Sequence, residues 1–267
     1  MLPTPSTSHV DSDRIYEPAE DSFLFLDTLS SAAETDFLKQ RFTSQVGEQQ
    51  SPSPLILEIG TGSGVVLAFV TAHARVIFGR ADVLTLGVDI NRIACEATKH
   101  TVVQACEEAS GGTDGVERLS DSAVLLASLN ADLTTSIRPG TVDVLIFNPP
   151  YVPTSELPRH SIAGIGGEAQ TSEVGGNGFE NDSHLLSLSY AGGINGMEVI
   201  DKLLVQLPSL LSSARGVAYI LLCKQNKPEQ VLQRVRDWGP KWTVEVVSHS
   251  GRKGGWEKLQ IIRLCRV

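Results

Sequence analysis

The sequence predicts an α/β fold, in which helices cover both faces of a mostly parallel sheet. Three observations predict it. Short aliphatic runs alternate along the chain with longer stretches of helical periodicity. The first of these runs is followed at once by a glycine-rich turn at residues 60–64, as at the start of a nucleotide-binding βαβ unit. The last two runs follow each other without a helix between them, which favours an antiparallel closing pair.

Each element is predicted from the spacing of its apolar residues. Phe23, Leu26 and Leu29 recur on one face of a helix predicted over residues 19–38. Seven apolar runs predict strands at residues 55–59, 84–88, 125–130, 142–147, 217–223, 242–247 and 259–264. Further helices are predicted at residues 65–73 and 92–108, after Asn195, and around Val231 and Val235.

Length and composition indicate one compact domain. A chain of 267 residues can bury a full core without a second domain. We expect that domain at residues 16–267, after a polar Ser, Thr and Pro tail at residues 1–15 that is predicted to be disordered. Residues 155–189, rich in Gly, Ser, Glu and Asn, predict an inserted flexible loop, with a substrate lid as the alternative.

The charge and the cysteines exclude several classes of function. The formal net charge is -9 without a block of Lys or Arg, which makes a nucleic-acid partner unlikely. The four cysteines are scattered without C-x-x-C spacing, so we expect no metal site and no disulfide framework. With no signal-peptide pattern and no membrane-spanning run, we expect a cytoplasmic location, and a nuclear one stays open.

The residues Asn148, Pro149, Pro150 and Tyr151 directly follow the strand predicted at residues 142–147. The two prolines have no backbone N–H, so the carbonyls of Asn148 and Pro149 are expected to point outward as acceptors. Together with the side-chain oxygen of Asn148 they can accept both hydrogens of a planar –NH2 group, which Tyr151 would support as an aromatic wall. Hydrogen bonding of both amino hydrogens in this way directs the nitrogen lone pair at an electrophile, which indicates methyl transfer to nitrogen.

Two predicted strand ends supply a candidate cofactor site. Glu58, Gly60 and Gly62 lie at the first strand and its turn, although a plain tight turn remains the alternative there. Asp89 ends the next strand, where an acidic residue typically binds ribose hydroxyls. The turn lacks the spacing of a dinucleotide site, which favours S-adenosyl-L-methionine over NAD.

A further acidic residue follows the strand predicted at residues 125–130. Asp132 could accept a hydrogen bond from an adenine amino group, with Leu133 against the ring. The alternative is a solvated turn residue or a helix cap.

Four motifs in this order resemble the HemK-type methyltransferases: residues 16–22, 58–64, 88–91 and 148–151. Residues 191–196 and 198–201 resemble the eukaryotic branch of that family, the catalytic subunit of a release-factor glutamine methyltransferase. The resemblance implies a Rossmann-like class I S-adenosylmethionine-dependent fold with a seven-stranded mixed sheet. It also implies that the substrate is the glutamine side chain of a Gly-Gly-Gln motif in a class 1 translation release factor.

The resemblance implies further contacts and a partner. Tyr16, Ser22 and Ile90 would contact the cofactor. The eukaryotic branch works as a heterodimer with a small zinc-containing activator subunit. Two departures from the family pattern are the short segment before Tyr16, which leaves no room for an N-terminal helical domain, and the long stretch at residues 155–189.

The run at residues 123–129 would form the open edge of such a sheet. It carries no charge or proline, and an exposed apolar edge strand is prone to pair with another chain. We expect the activator to add there by strand pairing, with coverage by helices as the alternative. For the activity, methylation of another nitrogen, in a lysine or in DNA adenine, is the alternative to glutamine. A catalytically silent scaffold is a third interpretation.

Overall fold

The computed structural model describes residues 2–43, 51–111, 123–158, 178–251 and 258–267. Within them a seven-stranded sheet has the order β3-β2-β1-β4-β5-β7-β6. The strands are β1 (Leu55–Ile59), β2 (Leu84–Asp89), β3 (Val124–Asn130), β4 (Val144–Phe147), β5 (Val217–Cys223), β6 (Trp242–His249) and β7 (Leu259–Arg266). The α-helices are α1 (Glu20–Ser30), α2 (Ala32–Thr43), α3 (Val65–Ala72), α4 (Ala74–Phe78), α5 (Arg92–Ala109), α6 (Gly178–Tyr190), α7 (Glu198–Leu210) and α8 (Pro228–Arg236).

The sheet confirms the predicted α/β fold. Strands β1 to β5 pair in parallel, and β7 pairs antiparallel with both β5 and β6. From β1 the chain continues to β2 and β3 on one side, and it then returns to place β4 on the other side of β1. In open α/β sheets the crevice at such a point, beside the carboxyl ends of the strands, is the usual place for a ligand.

The core lies on both sides of the two central strands. Every residue of β4 and β5 is buried, which explains why both sequences are continuous apolar runs rather than alternating ones. Helix α7 adds Ile200, Leu203 and Leu207, which are each fully buried on one face of the helix. The ends of these strands are therefore held rigidly. Among the described residues, no helix is long and apolar enough to cross a membrane.

The helix predicted over residues 19–38 is wrong as a single element. The structure has two helices, because the chain adopts an extended conformation at Ser31 (φ -64°, ψ 151°). The Ser31 hydroxyl then accepts a hydrogen bond from the backbone N–H of Glu34 at 3.3 Å. A serine in this position satisfies a backbone donor that the first turn of the second helix would otherwise leave free.

The predicted disordered tail at residues 1–15 also differs from the structure. Met1 lies outside the described residues, but residues 2–15, here called the N-terminal segment, lie along α3 and α5. Pro5 is buried and Ile15 is only 3% exposed. His9 Nε2 lies 3.2 Å from the Thr101 hydroxyl, and the carbonyl of Arg14 accepts a hydrogen bond from Asn91. The His9 ring and the Arg14 carbonyl thus anchor the segment through hydrogen bonds to α5 and to the residue before it.

The flexible loop predicted at residues 155–189 differs at its C-terminal end. Residues 159–177 lie outside the described residues, but Gly178–Tyr190 forms helix α6. Leu185, Leu186 and Leu188 of that helix are half-buried, a feature that the overall Gly and Ser content of the loop conceals.

Candidate active site

A cavity of about 160 Å³ opens at the carboxyl ends of β1, β2 and β4. The parallel register pairs Ile59 of β1 with Phe147 of β4, so Gly60 and Asn148 follow side by side. Twelve of the thirteen predicted site residues line this cavity: Tyr16, Ser22, Glu58, Gly60, Gly62, Asp89, Ile90, Asp132, Leu133, Asn148, Pro149 and Pro150. The fold therefore brings together motifs that are far apart in the sequence.

The glycine turn presents bare backbone to the cavity. Gly60 and Gly62 have φ values of +68° and +52°, which side-chain-bearing residues rarely adopt. A Cβ on Gly60 would lie 3.7 Å from the backbone carbonyl oxygen of Asn148, and one on Gly62 would meet nothing within 4 Å. A ligand can thus approach the backbone closely at this turn.

Asp89 ties the turn to the end of β2. Its Oδ2 accepts the backbone N–H of Gly62 at 2.8 Å, and its Oδ1 accepts the backbone N–H of Asn91 at 2.8 Å. Burial raises the pKa of Asp89, while the backbone N–H groups of Gly62, Asn91 and Ile90 act in the opposite direction. A carboxylate offers about four lone-pair sites, so Asp89 retains capacity for hydroxyl donors from a ligand.

Glu58 carries a buried acceptor that the fold does not satisfy. Its side chain is 2% exposed, and Oε2 has no hydrogen-bond partner among the described residues. Burial raises the pKa of Glu58 well above its ordinary value, and the nearby charge of Asp89 adds to the increase. Such a carboxyl group suits a cationic ligand group, which would supply both the missing hydrogen bond and the opposite charge.

Asp132 and Leu133 close another side of the cavity. Leu133 is 7% exposed and has a φ of +48°, an uncommon conformation for a residue with a branched side chain. That conformation costs about 1–2 kcal/mol and persists where the surrounding structure enforces it. In this conformation the apolar Leu133 side chain lines the cavity together with the half-buried Asp132.

Asn148 presents a second unsatisfied acceptor. Its Oδ1 is buried and has no hydrogen-bond partner among the described residues. Pro149 and Pro150 follow it along the cavity wall without backbone N–H groups. This part of the wall therefore offers acceptors for a donor-rich ligand group, such as an –NH2.

Tyr151 does not line the cavity, unlike the aromatic wall that the sequence predicts. The residue is buried in the core, and its hydroxyl donates to Asp21 Oδ2 at 3.4 Å. The double proline keeps the chain extended, so the side chain that follows it turns inward toward α1. Asp21 also accepts the backbone N–H of Ser22 at 2.7 Å, which joins Tyr151 to the start of α1.

Several lining residues were missed by the sequence predictions. Arg14 lines the cavity and pairs through Nε with Asp182 of α6 at 2.9 Å, although it lies in the segment predicted to be disordered. Leu185 and Leu188 of α6, in the segment predicted as a loop, also line the cavity. Only the helical spacing of those leucines could have indicated them. Among the described residues, no group of His, Cys, Asp or Glu side chains could hold a metal ion.

Comparison with known proteins places the chain among methyltransferases. It is 32% identical to the Mus musculus protein "Methyltransferase HEMK2" over 99% of this chain and 97% of that one. It is also 32% identical to the Schizosaccharomyces pombe "eRF1 methyltransferase catalytic subunit mtq2", over 100% and 97%. A solved structure of P. horikoshii TYW2 in complex with MeSAdo is 9% identical, with 97% and 67% coverage and a TM-score of 0.45. No protein-family model matches the chain. At this identity over nearly the full length, the chain belongs to the HemK-like family of methyltransferases.

Proposed function

We propose that this methyltransferase uses S-adenosyl-L-methionine to methylate the side-chain amide nitrogen of a glutamine in a translation release factor. The glutamine would be that of a Gly-Gly-Gln motif. One observation carries the proposal: the buried Oδ1 of Asn148, which has no hydrogen-bond partner among the described residues and belongs to the same cavity as the glycine turn. An acceptor of this kind requires a donor from the substrate, and a primary amide supplies two hydrogens.

The cavity residues fit S-adenosyl-L-methionine in their chemistry. The turn at Gly60 and Gly62 would face the methionine end, where Glu58 Oε2, without a partner among the described residues, suits an ammonium group. Asp89 would accept from the ribose hydroxyls, and Asp132 with Leu133 would hold the adenine. Tyr16, Ser22 and Ile90 complete the wall. When bound, this molecule supplies a methyl group already activated by the positive charge on its sulfur.

The acceptor side of the cavity would orient and polarise the amide. An amide nitrogen is a poor nucleophile because its lone pair is delocalised. Acceptance of both N–H hydrogens by Asn148 Oδ1 and the Pro149 carbonyl returns electron density to the nitrogen and stabilises the positive charge that develops there. Alignment provides much of the remaining rate enhancement. The nitrogen releases its proton to water after the transfer, so no general base is required beforehand.

The relatives' names support the substrate class. The S. pombe relative is named as an eRF1 methyltransferase subunit, and eRF1 is a release factor. A release factor acts in translation, so the proposed reaction would take place in the cytoplasm.

The exposed edge of the sheet supports a heterodimer. Strand β3 is the outermost strand on its side, and Val124 and Leu126 remain 45% and 53% exposed. The described helices therefore do not cover this strand completely. We place the small zinc-containing activator there, paired to the β3 edge by its own strand.

The test is methyl transfer from a labelled donor to four substrates offered in parallel. These are the release factor, its Gly-Gly-Gln→Gly-Gly-Ala variant, a lysine-containing peptide and duplex DNA, with the chain alone and co-expressed with the activator. We expect label on the wild-type factor only. Equal label on both factor variants, or label on the peptide or the DNA instead, would contradict the glutamine assignment.

A further inference from the structure

Asn226 is a buried polar residue that links three separate parts of the chain behind the proposed acceptor site. It ends the 3-10 turn Lys224–Asn226 that follows β5, and its side chain is 1% exposed. Its Nδ2 donates to the carbonyl oxygens of Tyr151 at 3.1 Å, Asn195 at 3.0 Å and Gly196 at 3.2 Å. Two amide hydrogens thus serve three carbonyls, so one of the hydrogens is shared.

The two halves of the Asn226 amide have different partners. Oδ1 accepts the backbone N–H of Cys223 at 2.7 Å, a local contact that shapes the turn to which Asn226 belongs. Nδ2 instead reaches carbonyls 30 to 75 positions away in the sequence. A residue needed only for its own turn would require the oxygen alone, so the amino group must be explained separately.

The carbonyls that Asn226 binds belong to the segment after Asn148 and to the turn that packs on it. A Cβ on Gly196 would lie 1.9 Å from the Tyr151 carbonyl oxygen, and one on Gly192 would lie 2.3 Å from that of Pro150. The backbone at residues 192–196 thus presses directly on the two residues that follow Pro149. In addition, the backbone N–H of Gly192 donates to the carbonyl of Val152 at 2.8 Å.

Through one amide group, Asn226 ties the Tyr151 carbonyl to the turn at residues 195–196. The prolines at 149 and 150 have no N–H with which to anchor the segment to a neighbouring strand. Asn226 Nδ2 donates to the Tyr151 carbonyl, and the Cys223 thiol donates weakly to the same oxygen at 3.8 Å. On the other side of that peptide group, the N–H of Val152 donates to the Tyr190 carbonyl at 3.0 Å. Loss of the Asn226 amino group would remove the nitrogen donor from this buried carbonyl and the link between Tyr151 and residues 195–196, so the segment after Pro149 could shift.

We propose that Asn226 is a positioning residue for the transfer reaction: its amino group fixes the backbone at residues 149–151 and so sets the direction of the acceptors that hold the substrate amide. The proposal rests on the proposed function. Asn226 does not line the cavity, so its effect passes through the segment that it holds.

The test compares Asn226→Asp and Asn226→Ala with the wild-type full chain. Asn226→Asp keeps the oxygen that accepts from Cys223 and removes the amino group, so it separates positioning from the local turn. Asn226→Ala removes both without adding a charge and serves if the aspartate variant does not fold. Val235→Ala, at a fully buried site in the following helix, is the control for a general loss of packing.

For each protein we would measure kcat and KM for the release factor, the Kd for S-adenosyl-L-methionine by calorimetry, and the Tm. We expect kcat to fall about 100-fold in both Asn226 variants, since a displacement of about 1 Å at a reacting group has this effect. The cofactor Kd should change by less than about threefold, and Val235→Ala should keep the wild-type kcat while its Tm falls.

The outcomes separate this inference from the proposed function. If the wild-type chain methylates none of the offered factors, the proposed function is wrong, and so is this inference, which rests on it. If the wild type is active and either folded Asn226 variant keeps its kcat, the positioning role alone is overturned. A fall in kcat that Val235→Ala reproduces at an equal loss of Tm, or that follows a loss of cofactor binding, would also overturn it.

Discussion

At the scale of single residues, the cavity is lined by two residues that each carry a buried oxygen without a partner among the described residues. Glu58 Oε2 lies toward the glycine turn, and Asn148 Oδ1 lies at the end of β4; neither has a hydrogen-bond partner among the described residues. Buried acceptors normally find donors within the fold, and those that do not are candidates for ligand binding. Their positions suggest different tasks, which single substitutions can separate.

Asn148→Ala and Asp89→Ala should have opposite effects. Loss of the Asn148 acceptor should lower kcat by about 100- to 1000-fold, as for other polar groups that stabilise a transition state, with little change in cofactor Kd. Loss of Asp89 should weaken cofactor binding about tenfold or more, as expected for hydrogen bonds to a charged group. Steady-state kinetics and calorimetry would measure both. Collapse of cofactor binding in Asn148→Ala would show that the acceptor role is wrong.

Glu58 should make the stability of the ligand-free protein depend on pH. Its folded pKa is raised above the ordinary value of 4.5, so its contribution to stability is complete below that pH and is lost as the pH rises through the raised pKa. The glutamine of Glu58→Gln stays neutral at every pH. If ionisation of Glu58 lowers the free energy of unfolding of the wild type by ~1 kcal/mol, the Tm of the variant should exceed that of the wild type by about 2–4 °C at about pH 8.

Thermal unfolding of both proteins across this pH range would test the Glu58 prediction. The difference in Tm should shrink toward acid pH. The control is Glu156→Gln, at an exposed glutamate, which should show no such difference. A variant that is less stable than the wild type at every pH would contradict the account of Glu58 as a destabilising buried carboxylate.

Most lining residues could be predicted because they lie within short motifs. Glu58, Asp89 and Asn148 each lie at or next to the end of a strand, and the carboxyl ends of parallel strands meet at one edge of the sheet. Asn226 could not be predicted, because its partners are backbone carbonyls that any residue type possesses. The inward position of Tyr151 also depends on Asp21, far away in the sequence, rather than on the motif itself.

At the scale of elements, strand β3 combines an edge position with an irregular backbone. The pairing with β2 passes from Leu125 to Ala127, so Leu126 is an extra residue at a β-bulge. Its side chain and that of Val124 remain about half exposed. A bulge interrupts the regular pairing that non-specific strand aggregation requires. The exposed apolar side chains still favour burial against a partner, so the edge is better suited to one specific partner than to aggregation.

Replacement of Val124 and Leu126 by lysine should prevent partner binding. Charge on an edge strand opposes the addition of another strand, so the double variant should be more soluble alone and should lose at least about tenfold in affinity for the activator. Val205→Lys is the matched control, since Val205 of α7 is 79% exposed and lies away from this edge. Co-purification and calorimetry would measure both effects. A stable, active wild-type monomer would contradict the need for a partner at β3.

The strands could be predicted closely, whereas several helices could not. An apolar run between breakers has sharp ends, which is why β1 and β5 match their predicted bounds. The division between α1 and α2 depends on one serine hydroxyl that caps the second helix. Because such a cap contributes little free energy, two helices differ little in stability from one continuous helix, and the sequence alone does not separate the two cases. Helix α6 was concealed because its leucines follow a long polar stretch.

At the scale of the whole molecule, the N-terminal segment connects elements that surround the cavity. Arg14 binds Asn91 at the start of α5 through its carbonyl and Asp182 of α6 through its side chain. Asn91 at the same time caps α5 by accepting the backbone N–H of Ile93 at 2.9 Å. The segment therefore holds two sides of the cofactor cavity together, and this closure involves contacts across more than 160 residues of sequence.

Deletion of residues 2–13 should weaken cofactor binding. Removal of the buried Pro5 and of the His9 contacts should free Arg14 and loosen the wall that it lines, with an expected loss of about tenfold in cofactor affinity, or ~1.4 kcal/mol. Calorimetry would measure the affinity, and Lys241→Ala, at an exposed site in front of β6, is the control. Unchanged cofactor affinity in the deletion variant would show that the N-terminal segment does not contribute to cofactor binding.

The parallel strands and the antiparallel closing pair follow from the alternation of strands and helices and from the two consecutive strands at the end, so both could be predicted. The strand order, with β7 between β5 and β6, does not follow from that alternation. The docking of the N-terminal segment could not be predicted either, because polar composition does not distinguish a solvated tail from one held by specific hydrogen bonds. In this segment the contacts of His9 and Arg14 decide the outcome, and both partners lie on elements distant in the sequence.

The most direct measurement of the central claim is the position of the transferred methyl group. A release factor would be incubated with the enzyme and a deuterated methyl donor, then digested and sequenced by fragment-ion mass spectrometry. The account predicts one added methyl group on the side-chain nitrogen of the Gly-Gly-Gln glutamine, present with wild-type enzyme and absent with Asn148→Ala. A methyl group on a lysine or on any other residue, or equal labelling by Asn148→Ala, would contradict it.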